Sequence, residues 1–170
     1  IAVPRLLLPA NGEIVAPPDL RTIRPERVGR LSGHAWEQLD LPRHCGNEPL
    51  LCLGNTAPVG RLMSKNKPVV TMVHDLSYAY FPNAYSLKFR ALYSAVMPVV
   101  LTQSDRVVTV SRAEMDAISR TYPKLNGDPR LSFLQNGGIR DVDAEVARHT
   151  PLPKRHERDY GIYVGSLTRR

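Results

Sequence analysis

The chain has 170 residues, with 23 Lys or Arg against 16 Asp or Glu, a formal charge of +7 at pH 7. Its 42% hydrophobic and 23% charged residues are the balance of a globular protein, not a disordered one, and the length suffices to bury a core without disulfide staples. Cys45 and Cys52 form no CxxC and meet no His/Cys pair at metal-finger spacing, so a zinc finger and a disulfide scaffold are set aside in favour of reduced thiols and a cytosolic setting.

Residues 1–8 are apolar, broken by Pro4, and end in the turn signal Pro9-Ala10-Asn11-Gly12. Residues 13–15 could pair back as a hairpin, residues 20–23 read as a short strand and residues 24–32 as basic loop. Residues 34–39 read as a short helix stopped before Pro42. A compact apolar run at 49–53 reads as a buried strand, followed by the loop Gly54-Asn55-Thr56-Ala57-Pro58. Residues 68–73 carry the clearest strand signal of the first half, being dense in β-branched side chains, and run straight into His74-Asp75. Residues 86–104 have helical periodicity, with Pro98 expected to kink or split the helix. Residues 106–110 form another short strand. Ser111-Arg112-Ala113-Glu114 matches a capping box that opens a helix to about Tyr122, stopped by Pro123. Residues 131–134 are a strand leading to Gln135-Asn136-Gly137-Gly138.

Strand, helix, strand, helix, strand over residues 68–134 predicts an α/β fold, a parallel sheet flanked by helices. Ligands of such sheets sit outside the carboxyl ends of the strands. His74-Asp75, Ser111 and Asn136-Gly137 all fall at those ends. Beyond them, residues 142–148 suggest a short helix. Residues 149–159 suggest a charged, proline-containing linker, and residues 160–167 a strand that stops at Thr168-Arg169-Arg170. A strand that opens a new unit and then ends, in a chain that starts at Ile1, is expected of a fragment of a larger protein or of a processed chain.

Several motifs are absent. There is no GxGxxG, GxxxxGK[ST], GxSxG or HExxH, which removes the usual anchors of dinucleotide, P-loop, α/β-hydrolase and zincin chemistry. The longest apolar stretch, residues 91–101, is short of the ~20 residues a spanning helix needs. The basic balance suits nucleic acid, an anionic membrane face or a phosphorylated substrate, or is simply a solvated surface.

Five segments together resemble a known family. Val69-Val70-Thr71-Met72-Val73-His74-Asp75-Leu76, followed by Tyr80-Phe81-Pro82, is similar to the "HDL…P" segment of the retaining GT-B glycosyltransferases of family four. Residues 104–111 resemble their "aD.vitVS" strand and helix start, and residues 134–138 their "ipNGv" segment. Residues 163–170 are similar to the "yVGsl.pRKN" that opens their second domain. Gly33 to Pro42 resembles the "WEQ..LP" stretch of bacterial mannosyltransferase-like members. The glycine-containing strand and loop that usually open the first domain are not visible, and the second domain, with most of the nucleotide-sugar site, is not in the chain. The resemblance implies a Rossmann-like acceptor-side domain over residues 1–148, the N-terminal half of a GT-B fold, and at 149–170 the linker and first strand of a donor-binding domain.

On this resemblance the parent protein transfers a sugar from a nucleotide sugar to a carbohydrate or polyprenyl-linked acceptor, with retention of configuration, in bacterial polysaccharide or lipid-linked oligosaccharide assembly. No cofactor or metal is expected, since Arg, Lys and a helix N-terminus would neutralise the diphosphate. The chain is expected to act in the cytoplasm, with the basic domain able to dock on an anionic membrane, and to be inactive without its second half. His74 is expected to bond a sugar hydroxyl, against a plain role in capping a loop. Asp75 either orients His74, binds a hydroxyl or caps the next turn. Ser111 reads first as an N-cap, with Glu114 its reciprocal partner, on a helix start that also attracts phosphate. Asn136 and Gly137 either line the cleft or make an ordinary turn. Arg169 and Arg170 stand where the family's basic residues reach the donor diphosphate. Trp36 is read as core, with Glu37-Gln38 holding its helix in place. The competing class is a non-catalytic α/β module binding nucleic acid through its basic surface. It lacks an aromatic-plus-basic motif on a strand pair, so no nucleic-acid partner is expected.

Overall fold

The structure is a computed structural model that describes residues 4–12, 23–64 and 67–135. The described strands are β1 (Arg5–Pro9), β2 (Arg24–Val28), β3 (Leu50–Cys52), β4 (Val69–Val73), β5 (Arg106–Thr109) and β6 (Leu131–Phe133). The described α-helices are α1 (Gly33–Ala35), α2 (Leu41–His44), α3 (Val59–Leu62), α4 (Ser77–Tyr80), α5 (Leu87–Gln103) and α6 (Arg112–Thr121), with a π-helical segment Trp36–Asp40 joining α1 to α2 and short 3-10 turns at Pro82–Ala84 and Pro123–Leu125. β1 and β2 pair in parallel, and β3-β4-β5-β6 form a parallel sheet in that order. This is the predicted α/β architecture, a parallel sheet flanked by helices, with β4, β5 and β6 as consecutive neighbours.

The β-branched run explains β4. Val69, Thr71 and Val73 are buried, and against them pack Tyr93, Met97, Val100 and Leu101 of α5 together with Val107 and Ile118. A strand so covered carries apolar residues with little alternation. Ser104-Asp105, just before β5, ties the two strand starts together. The Asp105 carboxylate accepts from the Val69 N–H at 2.8 Å, Asp105 N–H donates to Val69 O at 2.9 Å, and the Ser104 hydroxyl pairs with buried Thr71 at 2.9 Å. Both cysteines are free and buried, and burial pushes the Cys52 thiol up to about 12.

Three expectations are corrected. Residues 24–32 are not all loop: Arg24–Val28 is strand β2, held by β1 and by a bidentate pair of Arg5 with Glu26, 2.7 and 2.9 Å. The first helix does not stop before Pro42. Leu41 N–H donates to the Trp36 carbonyl five residues back, and this wide turn carries the helix past a proline that has no N–H to give and whose ring would crowd the preceding turn. Of the kink or split expected at Pro98, the split does not occur, and α5 runs unbroken from Leu87 to Gln103. The carbonyl Pro98 leaves without a helical donor belongs to exposed Ser94, where water can reach it, while buried Tyr93, Met97, Val100 and Leu101 hold both halves to the sheet. The hairpin at 13–15, most of the strand at 20–23, the helix at 142–148, the 149–170 boundary and the strand at 160–167 lie outside the described residues.

Candidate functional site

The sheet's carboxyl edge gathers the loops that follow β3, β4 and β5. The β3 loop is built first, and the Trp36-Glu37-Gln38 triplet holds it. Trp36 is buried and donates its indole N–H to Val28 O at 2.8 Å. Glu37 Oε2 accepts from the Thr56 hydroxyl at 2.6 Å, Gln38 Oε1 accepts from Val59 N–H at 2.8 Å, and Gln38 Nε2 donates to Ala57 O at 3.1 Å. The helix is thereby stitched to the loop, as the sequence suggested, and the loop in turn reaches His74.

His74 sits one residue beyond β4 and is half-buried. Its backbone N–H donates to Asn55 Oδ1 at 2.6 Å, and its ring Nε2 lies 2.8 Å from Leu53 O. A carbonyl oxygen only accepts, so this contact requires the ring proton on Nε2. Asn55 stands in the left-handed region at φ 65° and also donates its N–H to Met72 O at 3.1 Å. Asp75 Oδ1 accepts from Ser77 N–H at 2.8 Å, the capping role among its three alternatives.

Ser111 is the N-cap of α6, its hydroxyl accepting from Glu114 N–H at 3.1 Å. The reciprocal half of the expected capping box is not made. Glu114 Oε1 instead accepts from Leu76 N–H at 3.2 Å and so fastens α6 to the loop after β4. Leu76 is fully buried, and its N–H finds an acceptor that crosses between elements. Burial raises the Glu114 carboxyl above the ordinary carboxylate range, the nearby Asp75 acts in the same direction, and the Leu76 N–H opposes both. Tyr80 adds a second tie, its hydroxyl donating to Ala117 O at 3.2 Å.

A testable contrast follows from Glu114. A folded-state pKa above the unfolded one means stability that is full below the unfolded value, about 4.3, and diminishes as pH rises through the folded value. At pH 7 Glu114→Gln keeps an acceptor for Leu76 and loses the charge, so thermal unfolding should show it at least as stable as the parent, with the advantage gone at acid pH. Glu114→Ala strands a buried N–H and should cost about 1–3 kcal/mol. Equal losses in the two variants would contradict this reading.

His74, Asp75 and Ser111 are thus at one sheet edge, whereas Asn136, Gly137, Arg169 and Arg170 lie outside the described residues. Sequence reasoning missed Asn55, whose signal was the turn pair Gly54-Asn55, and the cross-link made by Glu114, which had no sequence signal. A cavity of about 510 Å³ is lined by Met115, Asp116, Ser119 and Arg120 of α6 with Pro123, residues 125–128 and Leu131. It flanks the amino end of β6, away from the carboxyl edge where open α/β sheets take their ligands. Among the described residues no group of three or more His, Cys, Asp or Glu side chains could hold a metal ion, and no helix is long and apolar enough to cross a membrane.

Parallel strands flanked by helices, with polar loops gathered at their carboxyl edge, define a Rossmann-like α/β domain. Residues 18–137 match the family model described as Glycosyltransferase Family 4, which is more than half of the chain, and the chain belongs to that family. No curated protein and no solved structure matches it.

Proposed function

We propose that this chain is the acceptor-side part of a retaining glycosyltransferase that moves a sugar from a nucleotide sugar to a carbohydrate or polyprenyl-linked acceptor. Family membership supports glycosyl transfer in general. The observation that carries the finer reading is His74, held at the carboxyl end of a central parallel strand with Nδ1 free of any partner among the described residues. In this reading His74 and Asp75 face the transferring sugar and Ser111 lies beside the substrate. Asn136 and Gly137 line the cleft, and Arg169 and Arg170 approach the donor diphosphate. The donor is a substrate and no further cofactor is required, since guanidinium groups and a helix N-terminus can neutralise a diphosphate. The mannosyltransferase-like and bacterial polysaccharide assignments rest on the sequence resemblance alone. A formal charge of +7 agrees with work at the cytoplasmic, anionic face of a membrane. No observation favours a nucleic-acid-binding module.

The test is release of nucleoside diphosphate from UDP- and GDP-sugars. A longer protein carrying a donor-binding half should release it in the presence of acceptor. The 170-residue chain alone should release almost none, because the leaving diphosphate needs donors outside the acceptor-side domain. Robust transfer by the isolated chain would overturn the division of labour.

A further inference from the structure

Among the ring contacts of His74, one nitrogen is spoken for and the other is not. Nε2 lies 2.8 Å from Leu53 O, and Nδ1 has no hydrogen-bond partner among the described residues. The same short loop grips the residue at a second point, Asn55 Oδ1 accepting from the His74 backbone N–H at 2.6 Å. Asn55 can do this because its backbone turns back in the left-handed region, φ 65°, which Asn tolerates better than other residues with a side chain. Its own N–H is fixed to Met72 O at 3.1 Å, so Asn55 holds the chain at Met72 and again at the histidine's own N–H. Farther back, Glu37 and Gln38 hold residues 56–59 of the same loop.

We propose that Asn55 is a positioning residue that, with the Leu53 carbonyl, locks the neutral His74 ring in its Nε2–H form, so that Nδ1 meets the substrate as a hydrogen-bond acceptor for a hydroxyl. This rests on the glycosyltransferase reading and sharpens it. A neutral imidazole could both donate and accept, but here the donor is spent inside the protein. The ligand group at His74 is therefore a hydroxyl that gives its hydrogen, as on a sugar, and a carbonyl or an unprotonated phosphate oxygen is rejected by the neutral ring.

The experiment needs no identified substrate. In the 15N-His-labelled chain, at a pH where the ring is neutral, long-range 1H–15N spectra should show His74 protonated at Nε2 and bare at Nδ1. In Asn55→Gly the left-handed backbone is retained and the acceptor for the His74 backbone N–H is removed, so the loop that carries Leu53 loses one ordinary hydrogen bond, opens about tenfold more often and lets the Nε2 proton exchange with water about tenfold faster. Asn55→Asp keeps an oxygen acceptor and should restore slow exchange. A His74 protonated at Nδ1, or exchange unchanged in Asn55→Gly, overturns the proposal. A parallel measurement separates it from the reading beneath it. In the longer enzyme, Asn55→Gly should lower kcat about 10²-fold through misplacement of the ring, with KM changed less. If His74→Ala retains full turnover while the spectra behave as stated, the glycosyl-transfer role of His74 fails and the positioning by Asn55 stands. If His74→Ala loses turnover and Asn55→Gly does not, the positioning fails.

Discussion

Replacing His74 by alanine in the longer enzyme is expected to lower turnover by about 10²–10³, or on the order of 2.7–4 kcal/mol, by analogy with removal of a positioned oxyanion-hole donor. The loss should fall on kcat more than on KM, because a bond to a hydroxyl near the breaking glycosidic bond changes as charge develops. The ring also bonds Leu53 O, so a modest fall in melting temperature accompanies it. Kinetics and thermal unfolding must therefore be measured on the same protein, with His74→Gln as a second variant. A His74 that only caps its loop would show the opposite division: lower yield and melting temperature, with activity per folded molecule unchanged.

The largest effect on stability is expected at Gly29. It follows β2 at φ +80°, and a Cβ there would lie 2.6 Å from Cγ and 2.7 Å from Cβ of Asp40, with Oδ2 closer still. That carboxylate is committed. It accepts from Arg30 N–H at 2.8 Å and Leu31 N–H at 2.9 Å, and those two bonds, with Arg43 nearby, hold its pKa below the ordinary range. Gly29→Ala thus incurs left-handed strain of about 1–3 kcal/mol and also displaces a carboxylate that two backbone donors depend on. If the total is about 3 kcal/mol, the melting temperature falls by roughly 6–12 °C in a domain of this size. Gly33→Ala is the control. Its φ is also positive, +54°, but a Cβ there meets nothing within 4 Å, so only about 1–2 kcal/mol of backbone strain applies. Equal losses at the two positions would show that the Asp40 contact is not what limits residue 29.

How far the sequence disclosed the fold depends on whether a segment's structure is local. β4 and β5 were legible because β-branched runs bounded by turn residues are what a covered parallel strand requires, whereas β6, Leu131-Ser132-Phe133, has no β-branched residue and was legible from its place before the turn residues Asn136-Gly137. β2 was not, because Arg24-Pro25-Glu26-Arg27-Val28 has no apolar alternation and becomes a strand by pairing with β1 and by the Arg5–Glu26 ion pair. Pro42 and Pro98 were read by their local rule, and both helices pass them. A π-turn relieves the first, and packing on the sheet outweighs the second. The site divides in the same way. His74, Asp75 and Ser111 were visible as polar residues following strands. The acceptor that Asn55 offers His74 and the bridge from Glu114 to Leu76 join residues 19 and 38 apart, a pairing that no short-range pattern encodes.

The central claim is that substrate meets the carboxyl edge of the four-stranded sheet. Amide shift mapping of the 15N-labelled chain, titrated with an alkyl glycoside as acceptor mimic, tests it most directly. The expected result is that the largest shifts fall on Leu53 to Asn55, His74 to Leu76 and Ser111 to Glu114, and that they disappear in His74→Ala. Shifts centred instead on Ser119, Arg120 and residues 125–128, around the 510 Å³ cavity at the amino end of β6, would contradict it.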